Sequence, residues 1–303
     1  MNPIIALIIA NIIWGAGSPI FKLALTNLPV YTFVFARFFI AALIFLPFVL
    51  KSKQKLIKRD YLDLLLAGIF GVTIHISAYF LALQKTQSIN APIIASASPV
   101  FLFFLSVLFL KEKINFKVLY GMLISLIGVM VIVITPLLSA KVNNVESPLE
   151  GNLLLIAATL FSLVTILIHK KLLDKINPYV VGFWTFLFGS IPLLPLVFNE
   201  FKTWSLVDLN FYGSFGLIYG ILLNTVLAYA LYFYGMSKMK AQEVGTFTYV
   251  DPVIAILIAA PLLGEIPDKF FAIGTFLVFI GIYMSEGRIP WHPFHLFKNP
   301  VKT

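Results

Sequence analysis

Asp251 is the one carboxylate that falls near the middle of a long apolar stretch, and His75 is the one histidine that falls well inside another. A lone carboxylate at such depth is costly while ionised, which a proton-coupling site can exploit; otherwise a basic mate such as Arg37 or Lys22 neutralises it. His75 suits binding of a carboxylate or relay of a proton, and equally a neutral imidazole bonded to a neighbouring helix. Asn11, Trp14 and Ser18 follow a three-and-four spacing that puts them on one helical face, with Pro19 freeing a backbone carbonyl beside them in a broken helix. Gly68, Gly71, His75 and Tyr79 form a second stripe, and Asn224, Thr225, Tyr229 and Tyr232 a third. Phenol and carboxamide groups can hydrogen-bond a polar solute while the rings cover its apolar part. Packing is the plainer reading of Trp14 beside Gly15 and Gly17, and Tyr79 and Tyr232, close to segment ends, also suit headgroup anchoring.

The sharpest constellation is Ser98-Pro99 and Asp251-Pro252, each expected mid-helix, where proline removes a donor and loosens the backbone. Ser96, Thr248 and Tyr249 add hydroxyls beside them. Several chemistries lack their parts. There is no GxxxxGK[ST] loop, no HExxH and no GxSxG, and the clustered acidic motifs that hold magnesium are missing. With no cysteine there is no thiolate nucleophile or thiolate metal site. No catalytic residue, metal ligand or cofactor is assigned, and His292 and His295 read as incidental residues of a polar tail.

The elements that carry these residues are membrane-length. The 303 residues are 60% hydrophobic and 12% charged, with 30 phenylalanines and a mean hydropathy of +0.98, a composition that makes an all-α integral membrane protein. At about 20 residues per crossing the chain divides into ten spans: Ile4 to Leu25, Tyr31 to Leu50, Tyr61 to Leu83, Ala91 to Leu110, Phe116 to Ile134, Gly151 to His169, Tyr179 to Phe198, Phe211 to Met236, Val244 to Leu263 and Phe270 to Ser285. The first begins almost at Met1 with no basic segment before it and reads as a retained helix.

The second half repeats the first. Tyr79-Phe80, Lys85, Pro99, Glu112, Gly121 and Gly128 recur 153 residues later as Tyr232-Phe233, Lys238, Pro252, Glu265, Gly274 and Gly281. Sixteen of the 22 lysines and arginines fall on one side of the alternating spans and four on the other, which puts both termini in the cytoplasm of a multi-pass cell-membrane protein. The net charge of +9 is thereby explained by topology and anionic lipid, without nucleic acid. Five spans per copy is odd, so the second copy is expected upside down, with a cavity at the interface of the repeats. The resulting division is a first repeat at 1–134, a loop at 135–150, an inverted repeat at 151–285 and a cytoplasmic tail at 286–303. Glu112 and Glu265 read as acceptors for exposed helix amides, and the repeated glycines as close-packing positions.

Trp14-Gly15, Lys22, Pro29, Arg37, Ser98-Pro99, Leu110-Lys111-Glu112, Gly121 and Gly128, with Asp251-Pro252, Gly264-Glu265, Gly274 and Gly281 in the second half, form a pattern that resembles the EamA branch of the drug/metabolite transporter superfamily. The resemblance covers the chain up to Glu286. It implies ten helices as two inverted five-helix repeats around a central cavity, moving amino acids and other small organic solutes without ATP, often outward. Phe161 stands where that family often has tryptophan.

The expected function is therefore secondary active transport, as an exporter, of small neutral or zwitterionic metabolites by alternating access, with proton coupling through Asp251 or His75. The binding or coupling set is Asn11, Trp14, Ser18, His75, Tyr79, Ser96, Ser98, Asn224, Tyr229, Tyr232, Thr248, Tyr249 and Asp251. The competing reading is a membrane-embedded enzyme acting on lipid or prenyl substrates. Expected partners are the small-molecule substrate and membrane lipid, and homo-oligomerisation is left open.

Overall fold

A computed structural model describes residues 2–52, 54–98, 101, 116–138, 148–239, 244 and 246–286, and among these every regular element is helical. Backbone amides in hydrocarbon must bond within their own segment, so apolar runs of this length become helices. They are α1 (Pro3–Ala24), α2 (Val30–Ser52), α3 (Lys58–Lys85), α4 (Asn90–Ser96), α5 (Phe116–Leu138), α6 (Pro148–Leu173), α7 (Pro178–Glu200), α8 (Phe211–Lys238), α9 (Val250–Leu263) and α10 (Lys269–Glu286). Helices α1 to α3 and α6 to α8 are each long and apolar enough to cross a membrane, while α5, α9 and α10 carry shorter apolar stretches. Most of the expected fourth span, with Pro99 and Glu112, lies outside the described residues, as do positions 139–147 and the tail bearing His292 and His295.

Side chains and one glycine fix several helix ends. Asn2 caps α1 through Ile4 N at 2.9 Å, ahead of Pro3. The Glu200 carboxylate accepts Tyr31 N at 3.0 Å and Thr32 N at 2.6 Å, closing the amino end of α2. Gly264, with φ of 66°, ends α9 in the left-handed conformation that a Cβ disfavours. Helix α1 runs unbroken through Pro19, contrary to the expected break.

The repeat is visible in the elements. Advancing α3 by 153 residues carries Lys58 to Phe211 and Lys85 to Lys238, the two ends of α8, and α5 and α10 start at the equivalent Phe116 and Lys269. Both α3 and α8 widen into a π-helical stretch at overlapping repeat positions, Ile69–Ile76 and Tyr219–Leu227. Such stretches leave backbone groups unpaired and recur at functional sites. The fourth and ninth segments also change course together. Helix α4 ends at Ser96, and at the equivalent Tyr249 a 3-10 turn (Thr246–Tyr249) gives way to α9. Asp251-Pro252 is therefore in the first turn of α9 rather than mid-helix, where proline costs no hydrogen bond and the helix dipole favours the carboxylate.

Small residues bring the helices together. A Cβ on Gly128 would lie 2.6 Å from Gly274 O, and one on Gly281 would lie 2.5 Å from Gly121 O, so α5 and α10 run antiparallel in backbone contact. Between them Ser125 Oγ donates to Val278 O at 2.8 Å, and those two positions are themselves equivalent. Gly68 and Gly189 make the same kind of contact between α3 and α7, and Gly216 meets Ala24 between α8 and α1. The halves interlock, since α1 packs on α8 and α6 packs on α3. An aromatic core that includes Phe21, Phe33, Phe38, Phe80, Phe186 and Phe233 fills the centre, and residues such as Leu153, Leu167, Ile218 and Leu257 face outward.

Ion pairs gather at the two ends of the bundle. At one end Lys22 bonds Glu265 Oε1 at 2.7 Å and Thr86 O at 2.6 Å. Glu265 also accepts Ser88 N, Ser88 Oγ and Ile89 N. It is thus the amide acceptor expected from the sequence, holding the approach to α4. At the other end Lys175 pairs with Asp60 and Lys171 with Asp63.

The α5–α10 contact generates a test. Gly128→Ala improves helix propensity but drives a methyl into the α10 backbone, an overpacking worth about 1–3 kcal/mol. The thermal midpoint of the purified protein in detergent is expected to fall; an unchanged or higher midpoint would show that the two helices separate without cost.

Candidate functional site

A cavity of about 220 Å³ lies between α1, α3, α4, α6, α8 and α9, with single contributions from α2 and a short segment of α7. Trp14 and Ser18 reach it from α1, and His75 and Tyr79 from α3. Ser98 follows α4, Asn224, Tyr229 and Tyr232 come from α8, and Thr248 and Asp251 lie at the start of α9. Among the expected residues, Asn11, Ser96 and Tyr249 are not part of the lining. Asn11 Nδ2 bonds Leu7 O at 2.7 Å within α1, Ser96 Oγ bonds Ile93 O at 2.7 Å within α4, and Tyr249 packs on Phe279.

Asn224 is the hub of the wall. Its carbonyl, inside the π-helical stretch, accepts Trp14 Nε1 at 3.0 Å. Its Nδ2 donates to Ile13 O at 3.3 Å, an oxygen that also accepts Tyr219 Oη at 2.5 Å. Its Oδ1 accepts Arg37 Nη2, while Arg37 Nε donates to Thr225 Oγ1. Gly17 makes room for the carboxamide, since a Cβ there would lie 2.5 Å from Asn224 Nδ2. Trp14 is held between Tyr229 and Tyr232, with ring centroids at 5.1 and 4.7 Å. It is at once a packing residue and part of the lining, and Tyr232, 7% exposed, points inward rather than to headgroups.

Arg37 is 3% exposed, with its guanidinium over the rings of Phe21 at 4.8 Å, Phe38 at 4.9 Å and Phe80 at 5.8 Å. Neither it nor Lys22 is the mate of Asp251: Arg37 is bound to α8, and Lys22 to Glu265. Asp251 forms no ion pair among the described residues, and its Oδ1 is buried without a hydrogen-bond partner there. His75 Nδ1 donates to Ala158 O at 2.8 Å, which fixes the tautomer and ties α3 to α6.

One wall carries lining residues that the sequence reading did not single out. Leu155, Ala158, Thr159, Ser162, Thr165, Ile166 and His169 of α6 all line the cavity, a face legible as hydroxyls at helical spacing. His169, placed at a span end by the sequence, is 4% exposed with Nε2 3.3 Å from Thr185 Oγ1. Phe161 lies off this face, stacked on Phe70.

Apolar helices packed around a small cavity with polar groups in its wall define a multi-pass membrane protein with a solute-sized space between its helices. The chain belongs to the EamA-like transporter family, whose pattern matches residues 1–134 and 149–286. It is 28% identical over 288 residues to "Uncharacterized transporter YetK" of Bacillus subtilis, covering 94% of this chain and 87% of that protein. Over 288 residues it is 24% identical to a "Probable amino-acid metabolite efflux pump" of Salmonella typhimurium, covering 90% of this chain and 91% of that protein. A crystal structure of another protein, 18% identical, shares the fold with a TM-score of 0.64 over 94% of this chain and 98% of that one.

Asn224→Ala would strip Arg37 of its carboxamide acceptor and leave a buried cation under-bonded. A loss of about 1.5–3 kcal/mol in unfolding stability is expected, read by thermal or denaturant unfolding in detergent; stability equal to wild type would mean that Arg37 does not depend on α8.

Proposed function

We propose that this protein is a secondary transporter of small neutral or zwitterionic metabolites, amino acids among them, that works by alternating access and exports its solute. The observation that carries this reading is that the first, third and fourth segments of one half and their equivalents in the other wall a single cavity. The antiparallel crossing of α5 and α10 at equivalent glycines supports two inverted repeats, which supply two exchangeable states. Ion pairs at both ends of the bundle, built on the equivalent lysines Lys22 and Lys175, suit contacts that open in turn. Both termini lie in the cytoplasm in this reading, following the lysine distribution. The efflux pump among the relatives supports outward transport of amino-acid metabolites.

In this mechanism the solute meets Trp14, Tyr79, Tyr229 and Tyr232, and Asp251 links its movement to protons. His75, committed through Nδ1 to Ala158, orients α3 against α6. Purified protein in liposomes is expected to move solute chemically unchanged, whereas appearance of product would favour an enzyme. Asp251→Asn is expected to abolish flux driven by a pH gradient while leaving folding and insertion intact; wild-type pH dependence in that variant would remove Asp251 from coupling. Trp14→Ala is expected to weaken solute affinity by roughly tenfold, the worth of about 1.4 kcal/mol of aromatic contact, and unchanged affinity would return Trp14 to packing alone.

A further inference from the structure

The cavity wall holds one acid that no base neutralises. Asp251 forms no ion pair among the described residues, and its Oδ1 is buried there without a hydrogen-bond partner. Its backbone is wedged against α1, where a Cβ on Gly15 would lie 2.7 Å from Asp251 O and 2.9 Å from its Cα. Ser18 follows Gly15 by one turn on the same face of α1; it is 1% exposed, and its hydroxyl closes no hydrogen bond of normal geometry. Tyr79 of α3 joins the two, its hydroxyl turned to Ser18 while it lies within electrostatic reach of Asp251. Tyr232 of α8, the repeat equivalent of Tyr79, lies within the same reach. All four side chains line the cavity.

A carboxylate in an apolar bundle is neutralised by a basic side chain, a proton or a metal ion. The first is missing here, since Arg37, which acts on Tyr79, is bonded to α8, and Lys22 of α1 is held by Glu265. The described residues of α4 carry no titratable group, and Tyr249 in the turn before α9 packs on Phe279. Asp251, Ser18, Tyr79 and Tyr232 present coordinating oxygens and no nitrogen, which suits a hard cation. One carboxylate matches a single positive charge, and among the described residues no three of His, Asp and Glu gather to hold a divalent or transition metal. The fourth and ninth segments change course beside this cluster, at the end of α4 and the start of α9, and such discontinuities are where transporters coordinate coupling ions.

Resting on the reading of Asp251 as the coupling residue, we infer that Asp251, Ser18, Tyr79 and Tyr232 form a sodium-ion site. Sodium binds the ionised carboxylate and a proton displaces it, so the two ions compete for one place and either gradient can fill it.

The test is binding of sodium to the purified full-length protein in detergent, by radioactive-sodium equilibrium binding and by thermal shift, with choline replacing sodium at constant ionic strength. Wild type at alkaline pH is expected to bind sodium saturably and to gain thermal midpoint as sodium replaces choline, because a ligand of the folded form stabilises it. Lowering the pH should raise the sodium concentration needed for half-saturation. Asp251→Asn should abolish the binding. Ser18→Ala, which keeps the carboxylate and removes one oxygen, should weaken it by at least about tenfold, the loss of one charge-assisted contact. Should Asp251→Asn not fold, Ser18→Ala decides, and wild-type sodium affinity there overturns the site. No saturable binding by wild type, binding that survives in Asp251→Asn, or affinity indifferent to pH would overturn it as well. Liposome flux separates this site from the reading beneath it. Solute flux driven by a pH gradient with no sodium binding removes the site and leaves proton coupling in place, whereas sodium binding that is lost in Asp251→Asn, without any solute flux, leaves the site and removes the transporter.

Discussion

A guanidinium in the middle of an apolar bundle has no bulk water to turn to, so the protein itself must satisfy it. Four helices of this chain are arranged around that requirement for Arg37. Helix α2 delivers the side chain, α8 answers with Thr225 and Asn224, and α1 and α3 supply Phe21 and Phe80 for the flat faces. Asn224 can serve Arg37 and also accept Trp14 through its carbonyl because α8 is π-helical there. The same demand runs through the ends of the bundle, where Glu265 holds a lysine and the amides before α4. Shape follows from polar accounting, and the aromatic core fills what is left.

That accounting also breaks the symmetry of the duplication. The equivalents of Arg37 and Asn224 in the other half are Ser190 and Gly71. Where one half has a charge and its acceptor, the other has a hydroxyl and a gap. Gly71 uses the gap to admit Thr165 of α6. Asp251, too, answers to Ser98. The cavity is thus built from paired backbone elements with unpaired chemistry.

Most of the helical boundaries were legible in the sequence because hydrocarbon sets a minimum length that few other structures imitate. The role of Glu265 was legible because a carboxylate beside a helix start has few other uses. The inward face of each helix was not. In water a polar stripe marks the outside, but here both the lipid face and the core face are apolar, so periodicity gives no direction. Arg37 therefore looked like a mate for Asp251, Tyr232 like an anchor, and the hydroxyl face of α6 went unread. The start of α9 just before Asp251 was hidden for another reason. A proline in an apolar run says that the backbone changes, without saying whether it kinks a helix or begins one.

Ser125 and Val278 occupy the same place in the two copies and bond to each other. A contact between a position and its own equivalent exists only where a two-fold axis passes, and it is the signature of an isologous interface. In the inverted-repeat reading proposed above, the α5–α10 seam is one that a single five-helix chain would form with another copy of itself. Covalent linkage of the two halves then changes what selection sees. Once joined, each side of the seam can differ from the other, as the serine on one side opposite a valine on the other does here.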